Sequence, residues 1–385
     1  MVNKNISPHS NQSYFSGPAG KKAQIQVTFS WVYILIAGAV ILLFFIGIVV
    51  KQKSISEENL ATDVVRVMES IFTGAGVSEK TKNFVDISGL ADYTLYFNCE
   101  EGTTDFGIKD RGKPSQNSID PIFAPLEIQD TELVLWSLPY KLPFKVIDFT
   151  FVTASKTKYY FLGNDDFVDE FINSTEGFGN IEKIDDILEI DPQRNYQFRI
   201  VDFSGGEFLQ QGIPSKLGSL EDSKLTAIVF TGTHQVDYYQ KLGNTWDKLN
   251  KEPVKIISIP GERDAAKYAV IFSGNDETYK CNMQKAFTRL KYVLDVYDSK
   301  LKEMEIFYEA DPALAVGDCY NYIKETGADP NARSSLDTLK KSRVPSCLVN
   351  YPETYNFCLD LLKDANKLKE ANKNLGEKGD CLTLY

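Results

Sequence analysis

The sequence predicts an α/β protein with an apolar N-terminal transmembrane helix, a β-rich start to the ectodomain, then a doubly covered, mostly parallel sheet, and a C-terminal α-helical end-piece. Three observations carry this expectation. An uncharged run fills residues 27–50, short apolar β runs alternate with helical stretches through the middle, and a long helical repeat follows from 278. The chain has 385 residues, with 43% hydrophobic and 25% charged, which is the composition of a folded protein of about two to three domains. The expected layout is a cytoplasmic tail or leader at 1–26, a transmembrane helix at 27–50 and a membrane-proximal helix at 51–76. An α/β ectodomain at 77–275 and a helical C-terminal region at 276–385 complete it.

Val27 to Val50 reads VTFSWVYILIAGAVILLFFIGIVV, long enough as a helix to cross about 30 Å of hydrocarbon. Trp31 and Tyr33 stand near one end, where amphipathic rings favour the interface. Lys4, Lys21 and Lys22 precede the run without an acid, whereas Lys51 and Lys53 are soon followed by Glu57, Glu58 and Asp63. The positive-inside rule then puts the N-terminus in the cytoplasm and the acidic remainder outside, in a single-pass cell-membrane arrangement. Ser54 and Glu57 form a capping-box pattern for a helix over 54–72, with Leu60, Val64, Val67 and Ile71 on one face.

Residues 93–97, 133–136 and 144–152 read as strands, with a polar surface loop expected from Gly102 to Pro125. Strands are then expected at 158–162, 196–201, 225–230, 254–259 and 268–272, with helices at 165–172 and 235–250 between them. Continuous apolar strands separated by helices are the pattern of a parallel sheet covered on both faces. From Thr278 to Tyr308 a four-three spacing of Met283, Phe287, Leu290, Leu294, Tyr297, Leu301, Met304 and Tyr308 makes a narrow seam for another helix. The seam fits a partner helix of the same chain or a coiled coil between two copies. Candidate faces in the chain are Ala313, Val316, Tyr320 and Ile323, and Cys358, Leu361, Ala365 and Leu368.

Cys99, Cys281, Cys319, Cys347, Cys358 and Cys381 all follow the apolar run. An even count there reads as disulfide bonds in an oxidising compartment. Six cysteines allow fifteen pairings; Cys99 with Cys281, and the other four among themselves, is the favoured one. Asn173-Ser174-Thr175 is a glycosylation sequon with Asn173 as acceptor.

Gly20-Lys21-Lys22-Ala23-Gln24-Ile25-Gln26, directly before the apolar run, resembles the class III signal of archaeal type IV pilin-like proteins. The likeness covers about residues 20–50. It implies cleavage by a prepilin peptidase between Ala23 and Gln24, leaving a mature helix that packs in a filament core. The layout of short basic tail, apolar run and large cysteine-containing domain also looks like that of archaeal single-pass surface proteins.

Chemistry-bearing motifs are sparse. The net charge of −11 argues against nucleic acid as a partner. The two histidines are His9 and His234, so a histidine-rich metal site is excluded and no metal or cofactor is expected. No GxxxxGK[ST], no GxGxxG after a strand and no GxSxG occurs. Ser204-Gly205-Gly206-Glu207 and Thr231-Gly232-Thr233-His234 each follow a strand, where open α/β sheets place ligand loops. Asp165-Asp166 and Asp185-Asp186 are acidic pairs without an EF-hand arrangement. No catalytic residue is assigned. The sequence therefore predicts a membrane-anchored extracellular protein for surface structure, adhesion or assembly, with a pilin-like filament subunit as one version. Its contacts would be the lipid bilayer through 27–50 and a protein partner or a second copy. The alternative is a surface-anchored hydrolase or ligand-binding receptor.

Overall fold

The structure, a computed structural model, describes residues 22–385 apart from 78–81, 179, 260, 262, 325, 327, 328, 351–354 and 380. Side chains at 22–33, 49, 50, 53–60, 71, 73–77, 349, 350 and 355–357 also lie outside the description. The chain divides into two compact units, Met1–Asn59 and Leu60–Tyr385.

The first unit is described by the N-terminal part of helix α1 (Lys22–Val77). Its described side chains between 34 and 48 are almost all exposed, Leu35 and Leu43 at 67% each. Among the described residues no helix is long and apolar enough to cross a membrane. The transmembrane helix expected at 27–50 is corrected on that ground.

The second unit opens with residues 60–77 of α1 and continues through β1 (Asn83–Asp86), β2 (Leu95–Glu100), β3 (Thr103–Ile108), β4 (Arg111–Asn117), β5 (Ile122–Phe123), β6 (Glu127–Ile128), β7 (Glu132–Lys141) and β8 (Lys145–Ala154). Next come β9 (Thr157–Leu162), α2 (Asp166–Ser174), β10 (Ile181–Lys183), β11 (Gln197–Asp202), β12 (Leu225–Gly232), β13 (Gln235–Leu242), β14 (Thr245–Lys248) and β15 (Val254–Lys255). Helices α3 (Ala265–Phe272), α4 (Asp276–Glu309), α5 (Pro312–Ala315), α6 (Asp318–Asn321), α7 (Ala332–Thr338), α8 (Val344–Asn350) and α9 (Tyr355–Glu377) finish the chain.

The strands form three sheets, and the mostly parallel sheet of the sequence reading is corrected. One sheet runs β4-β3-β2-β6 and is antiparallel throughout. A second runs β1-β7-β8-β5, antiparallel except for the β5–β8 pair. The third runs β10-β9-β11-β12-β13-β14 with β15 beside β13. Its first four strands are parallel and the rest antiparallel.

The causes are local. The helix expected at 235–250 is the hairpin β13–β14, whose turn is Gly243-Asn244 with φ +60° at Gly243. A two-residue turn with positive φ matches the twist of paired strands. The loop expected at 102–125 holds the hairpin β3–β4, turning at Lys109-Asp110, with Pro114 on the edge strand where no ladder donor is needed. Residues 268–272, expected as a strand, lie in α3. The Asp264 carboxylate caps that helix by accepting from Ala266 N at 3.1 Å. A short apolar run does not by itself distinguish buried strand from buried helix.

The largest core gathers α2, α3 and the α4 seam with β7, β8, one face of the third sheet and α7–α9. The seam thus packs within the chain. Cys358, Leu361, Ala365 and Leu368 are buried in that core, but the expected face at Ala313, Val316, Tyr320 and Ile323 is not a face. That region is two short helices, and Val316 is 85% exposed. A second core lies under α1 residues Ala61, Met68 and Phe72, against the first and second sheets. A third covers the other face of the third sheet. Disulfide bonds join Cys99 to Cys281, Cys319 to Cys381 and Cys347 to Cys358. They tie β2 to α4, α6 to the C-terminal tail, and α8 to α9.

Candidate functional site

Cα pairing across the third sheet sets Thr157 beside Gln197, Tyr159 beside Arg199, Arg199 beside Thr226, and Thr226 beside Gln240. Paired residues share a face, so Thr157, Gln197, Arg199, Thr226 and Gln240 form one polar group across β9, β11, β12 and β13. Further along the same face stand Tyr159, Phe161, Val201, Ile228, Phe230, Val236 and Tyr238, all in the largest core. The face is apolar along most of its length and polar at the amino ends of its parallel strands.

Arg199 is the unusual member. It is 5% exposed, yet the described residues bring no carboxylate against its guanidinium. Nη2 donates to the Ser273 carbonyl at the C-terminus of α3, and the ring of Tyr238 lies 6.0 Å from the guanidinium carbon. Nε is buried without a partner, and so is the Thr157 hydroxyl. Burial lowers the affinity of Arg199 for its proton, offset in part by Tyr238 and Tyr159.

Arg199 and Thr157 both line one cleft of about 250 Å3, closed on its other side by Leu126, Glu127 and Gly274. Gly274 N donates to Ala124 O at 2.8 Å, and a Cβ on Gly274 would stand 2.6 Å from Leu126 N. Only glycine fits that approach. Gln197 Nε2 reaches Glu127 O at 2.8 Å and fixes the same wall. The acids at the rim have cations of their own. Glu127 meets Lys109 at 2.5 Å and Glu221 meets Lys224 at 3.5 Å. The positive charge of Arg199 is left over. The arrangement can hold an anion against the sheet end.

The loops singled out from the sequence lie at the other ends of these strands. At Ser204–Glu207 the buried Asp202 carboxylate accepts from Ser204 N at 2.7 Å, from the Ser204 hydroxyl and from Gly206 N. The loop satisfies its own acid, and its donors are used. Thr233-His234 is the turn between β12 and β13; the His234 carbonyl accepts from Ile256 N, and its Nδ1 is buried without a partner. Among the described residues no carboxylate meets that nitrogen. Asp165 caps α2 through Phe167 N, and Asp186 caps a short turn through Leu188 N. Among the described residues no group of three or more acids, histidines or cysteines could hold a metal. Asn173 is exposed in α2, whereas the Thr175 hydroxyl of its sequon is buried and donates to Phe171 O at 2.5 Å. Ala23 and Gln24 belong to α1, with their side chains outside the described residues.

Arg199 and Lys285, both buried cations, were not singled out by the sequence reading. Arg199 had one signal, a basic residue inside the apolar strand Phe198-Arg199-Ile200-Val201. Lys285, on α4, donates to Thr104 Oγ1 at 2.6 Å, Asn117 O at 2.8 Å and Asp120 O at 3.1 Å. Burial pushes it down to about 7, against the opposite pull of Asp120 and Asp105. Its three acceptors fill its coordination, so it clamps α4 to the first sheet. A larger cavity of about 620 Å3 reaches Asp264, which is also committed, to Ala266 N and to the Ser258 hydroxyl at 2.6 Å.

No protein-family model matches the chain, and neither curated proteins nor solved structures yield a match.

Proposed function

We propose that the protein is held at the cell membrane and presents its disulfide-tied C-terminal unit outside the cell for surface structure, adhesion or assembly. The single observation that carries this reading is the uncharged apolar run 27–50, whose described side chains at 34–48 meet water almost throughout. An exposed apolar helix surface needs an apolar cover, and attachment at the membrane supplies one without requiring the described residues to cross it. The three disulfides support an oxidising compartment for the second unit. The pilin-like version adds removal of residues 1–23. Protease added to intact cells is expected to shave the C-terminal unit; its survival until the cells are broken would refute the placement. Mass spectrometry then separates the versions: a first residue Gln24 supports the pilin-like one, and an intact Met1 rejects it.

A second reading, a surface-anchored receptor for a small ligand, is favoured by the Arg199 cleft. It requires no change in the anchoring.

A further inference from the structure

The geometry points to a small monocarboxylate as the ligand of the Arg199 cleft, its carboxylate seated on the guanidinium between Thr157 and Gln240. This deepens the receptor reading and rests on it.

Charge balance sets the valence of the ligand. With Lys109 matched to Glu127 and Lys224 to Glu221, the cleft keeps one uncompensated positive charge. A guanidinium edge matches the two oxygens of a carboxylate. A phosphate near neutral pH carries up to two charges, and the second would face Glu127 and Glu221 at the rim without a cation to meet it. Size agrees. A space of about 250 Å3 lies below the usual range for drug-sized ligands and fits a few heavy atoms. The lining agrees as well. Threonine and glutamine side chains supply neutral donors beside the charge, and Pro125 and Leu126 supply an apolar wall for a short hydrocarbon portion. The Thr157 hydroxyl, a buried group without a partner, stands on the same sheet face as Arg199.

The test is calorimetric titration of the full-length chain in detergent micelles with sodium acetate, with sodium chloride and sodium phosphate at matched ionic strength. Acetate is expected to bind at one site with a millimolar dissociation constant, and chloride to give no saturable heat. Gln240→Glu, at a half-buried strand position, is expected to weaken acetate at least tenfold by facing the ligand with like charge. Arg199→Met is expected to abolish binding. If Arg199→Met does not fold, Gln240→Glu still decides. Acetate binding that is unchanged in Gln240→Glu overturns the assignment. Saturable phosphate binding without acetate binding overturns the carboxylate class and leaves the receptor reading standing. Neither anion binding overturns both.

Discussion

Two arginines are buried to nearly the same degree in different parts of the second unit, and they are treated in opposite ways. Arg333, on α7 in the helical end-piece, is 7% exposed and surrounded by acids. Nη1 reaches Asp298 at 2.7 Å, Nε and Nη2 grip Glu305 at 2.8 and 2.6 Å, and Asp337 stands at 3.7 Å. Arg199, in the third sheet, has a carbonyl and a tyrosine ring. A buried charge is expensive unless paired and hydrogen-bonded. The helical region has consumed its charge internally, by fastening α7 to α4. The sheet region has kept an uncompensated one beside a cleft. Burial alone therefore does not distinguish a structural cation from one available to a ligand; the inventory of partners does.

The largest expected effect breaks the first half of this contrast. Arg333→Met leaves buried Asp298 and half-buried Glu305 without their shared partner and should cost about 3–5 kcal/mol in urea unfolding. A loss under about 1 kcal/mol would mean the network is no more than a surface ion pair. The same network should respond to acid. Burial raises the Asp298 carboxyl, but hydrogen bonds from Lys340, Lys302 and Arg333 outweigh it and hold the group well below the usual carboxylate range. Its stabilisation is present above the ordinary carboxylate pKa and is lost as pH falls towards the native value. Thermal unfolding from pH 5 down to pH 2 should show a smaller decline in Asp298→Asn than in the parent chain.

A middle-sized effect concerns Lys285, a buried cation satisfied by neutral oxygens. The unfolded lysine keeps its proton to about pH 10.5, whereas the native one releases it near 7. Between those values the unfolded state binds more protons, so this contribution makes stability rise with pH. Lys285→Met should flatten that slope; an unchanged slope would place the cause elsewhere. The smallest effect sharpens the second half of the contrast. Arg199→Met should alter stability by less than about 1 kcal/mol, because no carboxylate is stranded by the change. A loss as large as that of Arg333→Met would show that Arg199 is structural.

What could be read from the sequence followed from periodicity and parity. The four-three spacing located α4 and its buried seam, and the six cysteines beyond the apolar run signalled disulfides. Strands β7, β8, β9, β11 and β12 lie where continuous apolar residues place them. The sheet order is not legible from periodicity, because the hairpin β13–β14 hinges on the turn Gly243-Asn244 inside a stretch whose spacing suits a helix. Without that hairpin the antiparallel half of the third sheet is not legible either. The apolar run 268–272 has the look of a strand because the N-cap of its helix, Asp264, lies several residues upstream. The expected membrane helix carried the whole layout, yet among the described residues no helix is long and apolar enough to cross a membrane. The cleft was hardest to see. Its members come from four strands and the 125–129 segment, and the property that marks it, a cation without a carboxylate, exists only after folding.

The most direct measurement of the contrast is the arginine side-chain NMR spectrum of the full-length chain during an acetate titration. The Arg199 and Arg333 guanidinium carbons would be assigned by the loss of each signal in Arg199→Met and Arg333→Lys. The account predicts a saturable shift of the Arg199 resonance while the Arg333 resonance stays fixed. An unmoved Arg199 resonance, or equal movement of both, would contradict it.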